Sequence, residues 1–271
     1  MRASIIVRMI PDAAPPSFEF LSLHVAGGIG RLALNRPARL NALSPDVLQE
    51  LIDASRWLAA QADLRVLRIV GEGRAFCAGF DLDAMRGSRA TLDRSATDLG
   101  RRMAEAVSAI PAITIAALQG HCVGGGLVLA ACCDLRLAAD DARFSIPEMA
   151  LGIPLGWGGV PRLVGLLGPT LALELVLDCT PFDASQALAW RLVNRVVPAA
   201  ELETQSAAWA ERLAERPLNA LRTTKRRFAA VVEALSPTAG SEADADALLA
   251  AYRDPETLVV QQRYLQARGR R

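Results

Sequence analysis

Apolar residues in this chain fall into short runs whose period changes along its length. Ile113–Leu118 is a continuous run of β-branched and small apolar residues and predicts a buried strand. Leu127–Cys133 is apolar on every face, which predicts a helix inside a core rather than on a surface. Between them Gly120 permits a turn, and Gly124, Gly125 and Gly126 stand at the mouth of the helix. Arg65–Gly71 reads as a second strand, followed by a tight turn with Gly79 and a short helical piece at Leu82–Met85. Upstream, Glu19–Val25 and Ile29–Asn35 flank Gly27-Gly28 as a hairpin would. Ser44-Pro45 opens a helix as N-cap and first residue, with Val47, Leu48, Leu51, Ile52 and Leu58 as its apolar face. A helix over about Thr91–Ile110, a strand at Leu135–Ala138 and a short segment at Phe144 follow. From Thr170 onward the pattern is helical, over 170–177, 184–190, 200–215, 218–234, 241–251 and from about Pro255. Strands alternating with helices at this spacing indicate an α/β protein with a parallel sheet.

Composition adds mostly exclusions. The 271 residues suffice for one large or two small domains, and no internal repeat is evident. A 52% hydrophobic content and a mean hydropathy of +0.23 fit a chain that also buries surface in an oligomer. A net charge of +1 gives no reason to expect nucleic acid. Lys225 is the only lysine, so Arg-rich patches such as Arg268–Arg271 carry little inference. Residues 1–17 read as a disordered leader, with Met9 an alternative start, because Ile5–Val7 is too short for a secretory core. No run reaches membrane-spanning length. Five cysteines without CxxC spacing and only two histidines argue against a metal site and for a reducing, cytoplasmic compartment. GHCVGGG lacks both the phosphate-loop ending and dinucleotide spacing.

The chemistry lies in the two glycine turns. The first amides of a helix have no internal partner, and beside a positive dipole end they form an oxyanion site. Two such turns on neighbouring strands, one at Phe80 and one at Gly124–Gly126, would aim two N–H groups at one carbonyl oxygen. The alternative is that the glycines only permit tight packing. Cys77 reads as a small buried filler rather than a nucleophile. His121 and Cys122, adjacent on an extended segment, point to opposite faces and form no pair.

Five segments then carry a resemblance: LNRPARLNAL (34–43), GEGRAFCAGFDL (71–82), GHCVGGGLVLAACCDLRLA (120–138), ARFSIPEMALGIPLGWGGVPRL (142–163) and ALAWRLVNRVVP (187–198). In this order they resemble the crotonase superfamily, the enoyl-CoA hydratase/isomerase group, from about Phe18 to Arg268. The resemblance implies a spiral of ββα units over 18–198 and a helical trimerisation region over 199–271, assembled as a homotrimer or a dimer of trimers. It implies an acyl-CoA thioester substrate and no separate cofactor. Its oxyanion-hole amides fall on Phe80 and Gly125, and its two glutamates fall on Val128 and Glu148. Valine cannot hold or relay a proton, so the resemblance favours movement of a double bond by Glu148 alone over hydration. Decarboxylase and thioesterase chemistry, and a non-catalytic acyl-CoA-binding or assembly protein, are the alternatives. Glu148 is pulled two ways: a helix start after Pro147 favours the carboxylate, and apolar neighbours favour the acid. For CoA, the resemblance points to Ala38, Arg39 and Leu40 beside the adenine and to Ala78, Phe80, Asp81 and Leu82 along the pantetheine. It makes Arg39 and Lys225 candidates for phosphate. Asp81 most simply caps the Leu82–Met85 helix, and Asp83 stands where several relatives carry lysine. Trp157 and Leu155 are expected at the far end of the acyl pocket, with 84–100 lining it, and Arg162 is expected in a structural ion pair.

Overall fold

The left-handed conformations at Gly27 and Gly28 close the first turn, so β1 (Leu21–Ala26) folds back antiparallel on β2 (Ile29–Leu34). The computed structural model describes residues 16–83 and 93–268. After β2, Ser44 Oγ accepts the Val47 N–H and Pro45 sets the first turn of α1 (Pro45–Ala59). Losing such a cap typically costs about 1 kcal/mol. Then follow β3 (Val66–Gly71), α2 (Arg94–Ser108), β4 (Ile113–Leu118), β5 (His121–Val123), α3 (Gly125–Ala131), β6 (Leu135–Ala139) and β7 (Arg143–Ser145). The remainder comprises α4 (Gly159–Leu167), α5 (Pro169–Asp178), β8 (Phe182–Asp183), α6 (Ala184–Ala189), β9 (Arg195–Val197), α7 (Leu202–Ala214), α8 (Leu218–Leu235), α9 (Asp244–Arg253) and α10 (Pro255–Arg268).

Among the described residues the large sheet has the order β1-β2-β3-β4-β6-β9, parallel from β2 onward, and a small sheet has the order β5-β7-β8. The chain spirals between them. Each turn lays one strand in the large sheet and its successor in the small one: β4 then β5, and β6 then β7. The segment after β3 makes the same move, bridging in parallel at Cys77 to Cys122. Such a spiral stacks the turns that follow β3 and β4 side by side. α1, α2 and α3 pack one side of the large sheet through Leu48, Leu51, Ile52, Met103 and Leu127, while α7 covers the other through Leu202 and Trp209. Each fully buried leucine or isoleucine stabilises by about 1.5–3 kcal/mol relative to exposure.

Four expectations need correction. The core helix begins at Gly125 and ends at Ala131, two residues earlier than Leu127–Cys133, because glycine at a helix mouth is tolerated where close packing requires it. The helix expected over Thr91–Ile110 spans Arg94–Ser108 and is capped by Asp93, whose carboxylate accepts the Ala96 N–H at 2.8 Å. The region after Thr170 is not wholly helical, since β8 and β9 are strands of two and three residues that complete the two sheets. α4 is a helix where no helix is expected, because Gly159, Pro161 and Gly165 interrupt its apolar period. The short helix expected at Leu82–Met85 lies outside the described residues beyond Asp83, and the leader lies outside them before residue 16.

Candidate active site

The turn after β3 is laced to the segment before α1. Ala78 N–H donates to Leu40 O at 2.9 Å, Leu43 N–H to Gly79 O at 2.8 Å, and Asp81 N–H to Leu43 O at 3.0 Å. This alternation skips the Phe80 N–H, which finds no acceptor among the described residues. At the mouth of α3, Gly124 N–H donates to Ser145 O at 2.9 Å, and Gly124 O receives the first helical bond from Val128. The Gly125 N–H is left unpaired there too. The turns adjoin: a Cβ placed on Gly79 would stand 3.7 Å from the Gly125 nitrogen. Two unpaired backbone donors thus sit on neighbouring turns, as an oxyanion requires.

Glu148 lies across from them. Its Oε1 would stand 2.5 Å from a Cβ on Gly124, a position held at φ +51°, so only glycine admits the carboxylate here. Glu148 occupies the N-cap position of a three-residue turn (Met149–Leu151) but makes no side-chain cap bond, and its Oε2 is buried without a hydrogen-bond partner. The opposed effects on its acidity are therefore unequal. A single 3₁₀ turn offers little dipole, whereas burial pushes the carboxyl up from 4.5 to about 7, against a weaker backbone hydrogen bond.

Two cavities meet at Phe80, Glu148, Ile153 and Tyr252. The first, of about 640 Å³ with its mouth, is apolar and walled by Leu48, Val128, Leu155, Trp157 and Leu248. The second, of about 510 Å³, runs past Ala78, Gly79, Leu82, Pro147, Gln261 and Tyr264. The spiral thus brings together Phe80, Gly125, Val128, Glu148 and Trp157 around one cavity and Ala78 and Leu82 around the other. Among the described residues, Glu148 is the sole carboxylate lining either.

Other residues singled out in the sequence lie elsewhere. Ala38, Arg39 and Leu40 line neither cavity, although Leu40 O holds the Ala78 amide. Asp81 is buried outside both, paired with Arg36 at 3.2 Å and Arg39 at 3.4 Å, and accepts the Asp83 N–H as a cap would. Arg39 also holds Asp83 at 2.6 Å. Lys225, a candidate for phosphate, is instead taken up by Asp134 at 2.7 Å and Ala112 O at 2.9 Å. Arg162 donates to Gly158 O and Ser108 Oγ rather than entering a carboxylate pair among the described residues. His121 is exposed while Cys122 is buried, and the Cys77 thiol is pushed up to about 12 by burial, which makes it inert. Trp157 is not at the far end of the pocket: it packs beside Gly125 and meets Phe80 edge-on at 5.9 Å. Ala96 and Thr97, from the region expected over 84–100, do line the first cavity, while 84–92 lie outside the described residues. Leu48, Leu248, Tyr252, Gln261 and Tyr264 were not expected there because they come from α1, α9 and α10, remote from every motif. The one available signal was rarity, since both tyrosines of the chain face these cavities. No group of three or more His, Cys, Asp or Glu able to hold a metal occurs among the described residues, and none of their helices is long and apolar enough to cross a membrane.

Comparison with known proteins places this geometry in context. A family model described as enoyl-CoA hydratase/isomerase matches residues 24–264. The chain is 36% identical over 197 residues to the probable enoyl-CoA hydratase echA8 of Mycobacterium bovis, covering 73% of this chain and 76% of that one. It is 35% identical to the crotonyl-CoA hydratase of Syntrophomonas wolfei, covering 77% and 81%. Among solved structures, an enoyl-CoA hydratase/carnithine racemase from Magnetospirillum magneticum matches with a TM-score of 0.77 at 34% identity, over 85% of this chain and 86% of that one. An enoyl-CoA hydratase from Mycobacterium avium subsp. paratuberculosis matches with a TM-score of 0.83 at 25% identity, over 91% and 99%.

Proposed function

Since the chain belongs to the enoyl-CoA hydratase/isomerase family and has its crotonase fold, we propose that it moves a carbon–carbon double bond within an acyl-CoA thioester. The observation that carries this reading is the lone Glu148 carboxylate facing the Phe80 and Gly125 amides, with aliphatic Val128 lining the same cavity. In this mechanism the thioester oxygen sits on the two amides. Glu148 removes a proton from C2 of a 3-enoyl thioester, and the electron pair spreads over C2–C4 and the oxygen as a dienolate. The same proton returns at C4, leaving the double bond at C2–C3 and the carboxylate regenerated. One acid/base suffices, and burial suits Glu148 to the task by bringing its pKa near neutrality.

CoA enters as part of the substrate. In this reading Ala78 and Leu82 line its pantetheine and Ala38–Leu40 lie beside the adenine, with Asp81 holding the intervening turn through Arg36. The acting unit is a homotrimer or dimer of trimers, supported by the uncovered apolar stripe of α8.

A second reading, hydration of a 2-enoyl-CoA, is favoured by the relatives, which include a probable enoyl-CoA hydratase and a crotonyl-CoA hydratase. Incubation with matched 2-enoyl- and 3-enoyl-CoA esters, followed by mass spectrometry and enoyl-thioester absorbance, separates the two. Isomerisation gains absorbance at constant mass from the 3-enoyl ester. Addition of water to the 2-enoyl ester with no reaction of the 3-enoyl ester overturns the first reading.

A further inference from the structure

The peptide between Gly124 and Gly125, whose N–H is one of the two donors, is flanked on both sides. The Glu148 carboxylate presses on the Gly124 Cα, and the six-membered ring of the Trp157 indole presses on the Gly125 Cα closely enough that a Cβ would overlap it. The indole also lies flush on Gly100 of α2, where a Cβ would overlap its ring fusion, and meets the Phe80 ring edge-on at 83°. Its backbone is fixed as well. Trp157 is held at φ +62°, an uncommon conformation for a bulky residue. The next residue is clamped at both ends, with Gly158 N–H donating to Asp244 at 2.7 Å and Gly158 O accepting from Arg162 at 2.9 Å. An aromatic plate fixed by this many neighbours cannot yield to a substituent without displacing α2, α3 or α9.

A thioester oxygen held by the Phe80 and Gly125 amides puts C2 and C3 between that plate and the carboxylate. We propose that Trp157 is a specificity-determining residue, and that the slot between its indole and Glu148 selects acyl groups that are flat and unbranched at C2 and C3. The inference rests on the acyl-CoA reading and adds to it a substrate class, straight-chain acyl groups, which the apolar walls of Leu48, Leu155 and Leu248 accommodate further out.

The test is equilibrium binding of saturated esters, which needs no turnover. By titration calorimetry, butyryl-CoA binds the wild-type protein at least about tenfold tighter than 2-methylpropanoyl-CoA or 3-methylbutyryl-CoA, the size of penalty that overpacking a rigid site produces. In Trp157→Leu and Trp157→Ala that ratio falls below about threefold, while Trp157→Phe, which keeps a flat ring, retains most of it. Gly100→Ala, which drives the indole into the slot, weakens butyryl-CoA itself. Equal binding of straight and branched esters by the wild-type protein overturns the slot and leaves the acyl-CoA reading standing. So does an unchanged ratio in whichever of the leucine and alanine variants folds. If no ester binds at all, the acyl-CoA reading fails and the slot fails with it.

Discussion

At the scale of single residues, the decisive comparison is between Glu148 and Val128, which line the same cavity on opposite sides of one idea about proton transfer. Glu148→Gln keeps the shape and removes the base, so turnover should fall by about 10²–10⁴-fold while butyryl-CoA binding stays within a few-fold. Steady-state rates alongside calorimetry check this. Acidity gives a second expectation. With the carboxyl at about 7, kcat/KM should rise with pH along a limb of apparent pKa near 7 and then level, because the carboxylate is the active form. The same shift fixes the sign for stability. The folded chain holds its proton to higher pH than the unfolded one, so stability falls as pH rises from about 4.5 through 7. The loss totals on the order of 3 kcal/mol for the full shift, and Glu148→Gln should flatten that slope in urea melts. Both members of the Glu148/Val128 pair were legible only through the family resemblance, because the local pattern alone reads Glu148 as a helix-start residue and Val128 as one of many core aliphatics. The position of Trp157 was not. It depends on which helices meet at Gly100 and Gly125, and 57 residues of chain separate Gly100 from Trp157.

At the scale of elements, the site is held by pieces that sequence period reads unequally well. β3, β4 and α1 were legible because each buries a long, regular apolar face. β8 and β9 were not, since two or three residues carry no period and their strand character comes from pairing with β7 and β6. α9 and α10 were legible as helices but not as walls of the site. That role comes from fastenings at their ends: Asp244 to the Gly158 amide, Thr97 Oγ1 to Ala245 O at 3.3 Å, and Thr257 Oγ1 to Gly152 O at 2.9 Å. These bonds pin the segment that runs from Glu148 to Gly158. Asp244→Ala leaves a half-buried amide without its acceptor, for a stability cost of about 1–3 kcal/mol. Amide hydrogen exchange should accelerate at 156–158, and kcat/KM should fall more than stability alone explains, because the Trp157 wall loosens. Unchanged exchange in that segment would show that α9 does not fasten it.

At the scale of the molecule, α8 is a helix with two different halves. Arg222 donates to Gln61 O and Ala62 O, and Lys225 reaches Asp134 and Ala112, so the first half is tied to the body by its cations. The second half carries Phe228, Val231, Val232 and Leu235 at helical spacing, exposed to 71%, 59%, 51% and 78%. Repulsion does not explain leaving that stripe bare, since the chain is nearly neutral, and water penalises a contiguous apolar patch of four large side chains. In the trimeric reading, a neighbouring copy of the chain around a threefold axis would cover it without requiring any new partner. Light scattering or sedimentation velocity should therefore give a mass about three times 28.9 kDa, or six times for a dimer of trimers. Phe228→Glu with Leu235→Asp should break the assembly toward monomer while leaving Lys225 and Asp134 in place and the secondary structure unchanged. A wild-type monomer at micromolar concentration, or an assembly indifferent to those charges, would mean that some other surface, or none, does the joining.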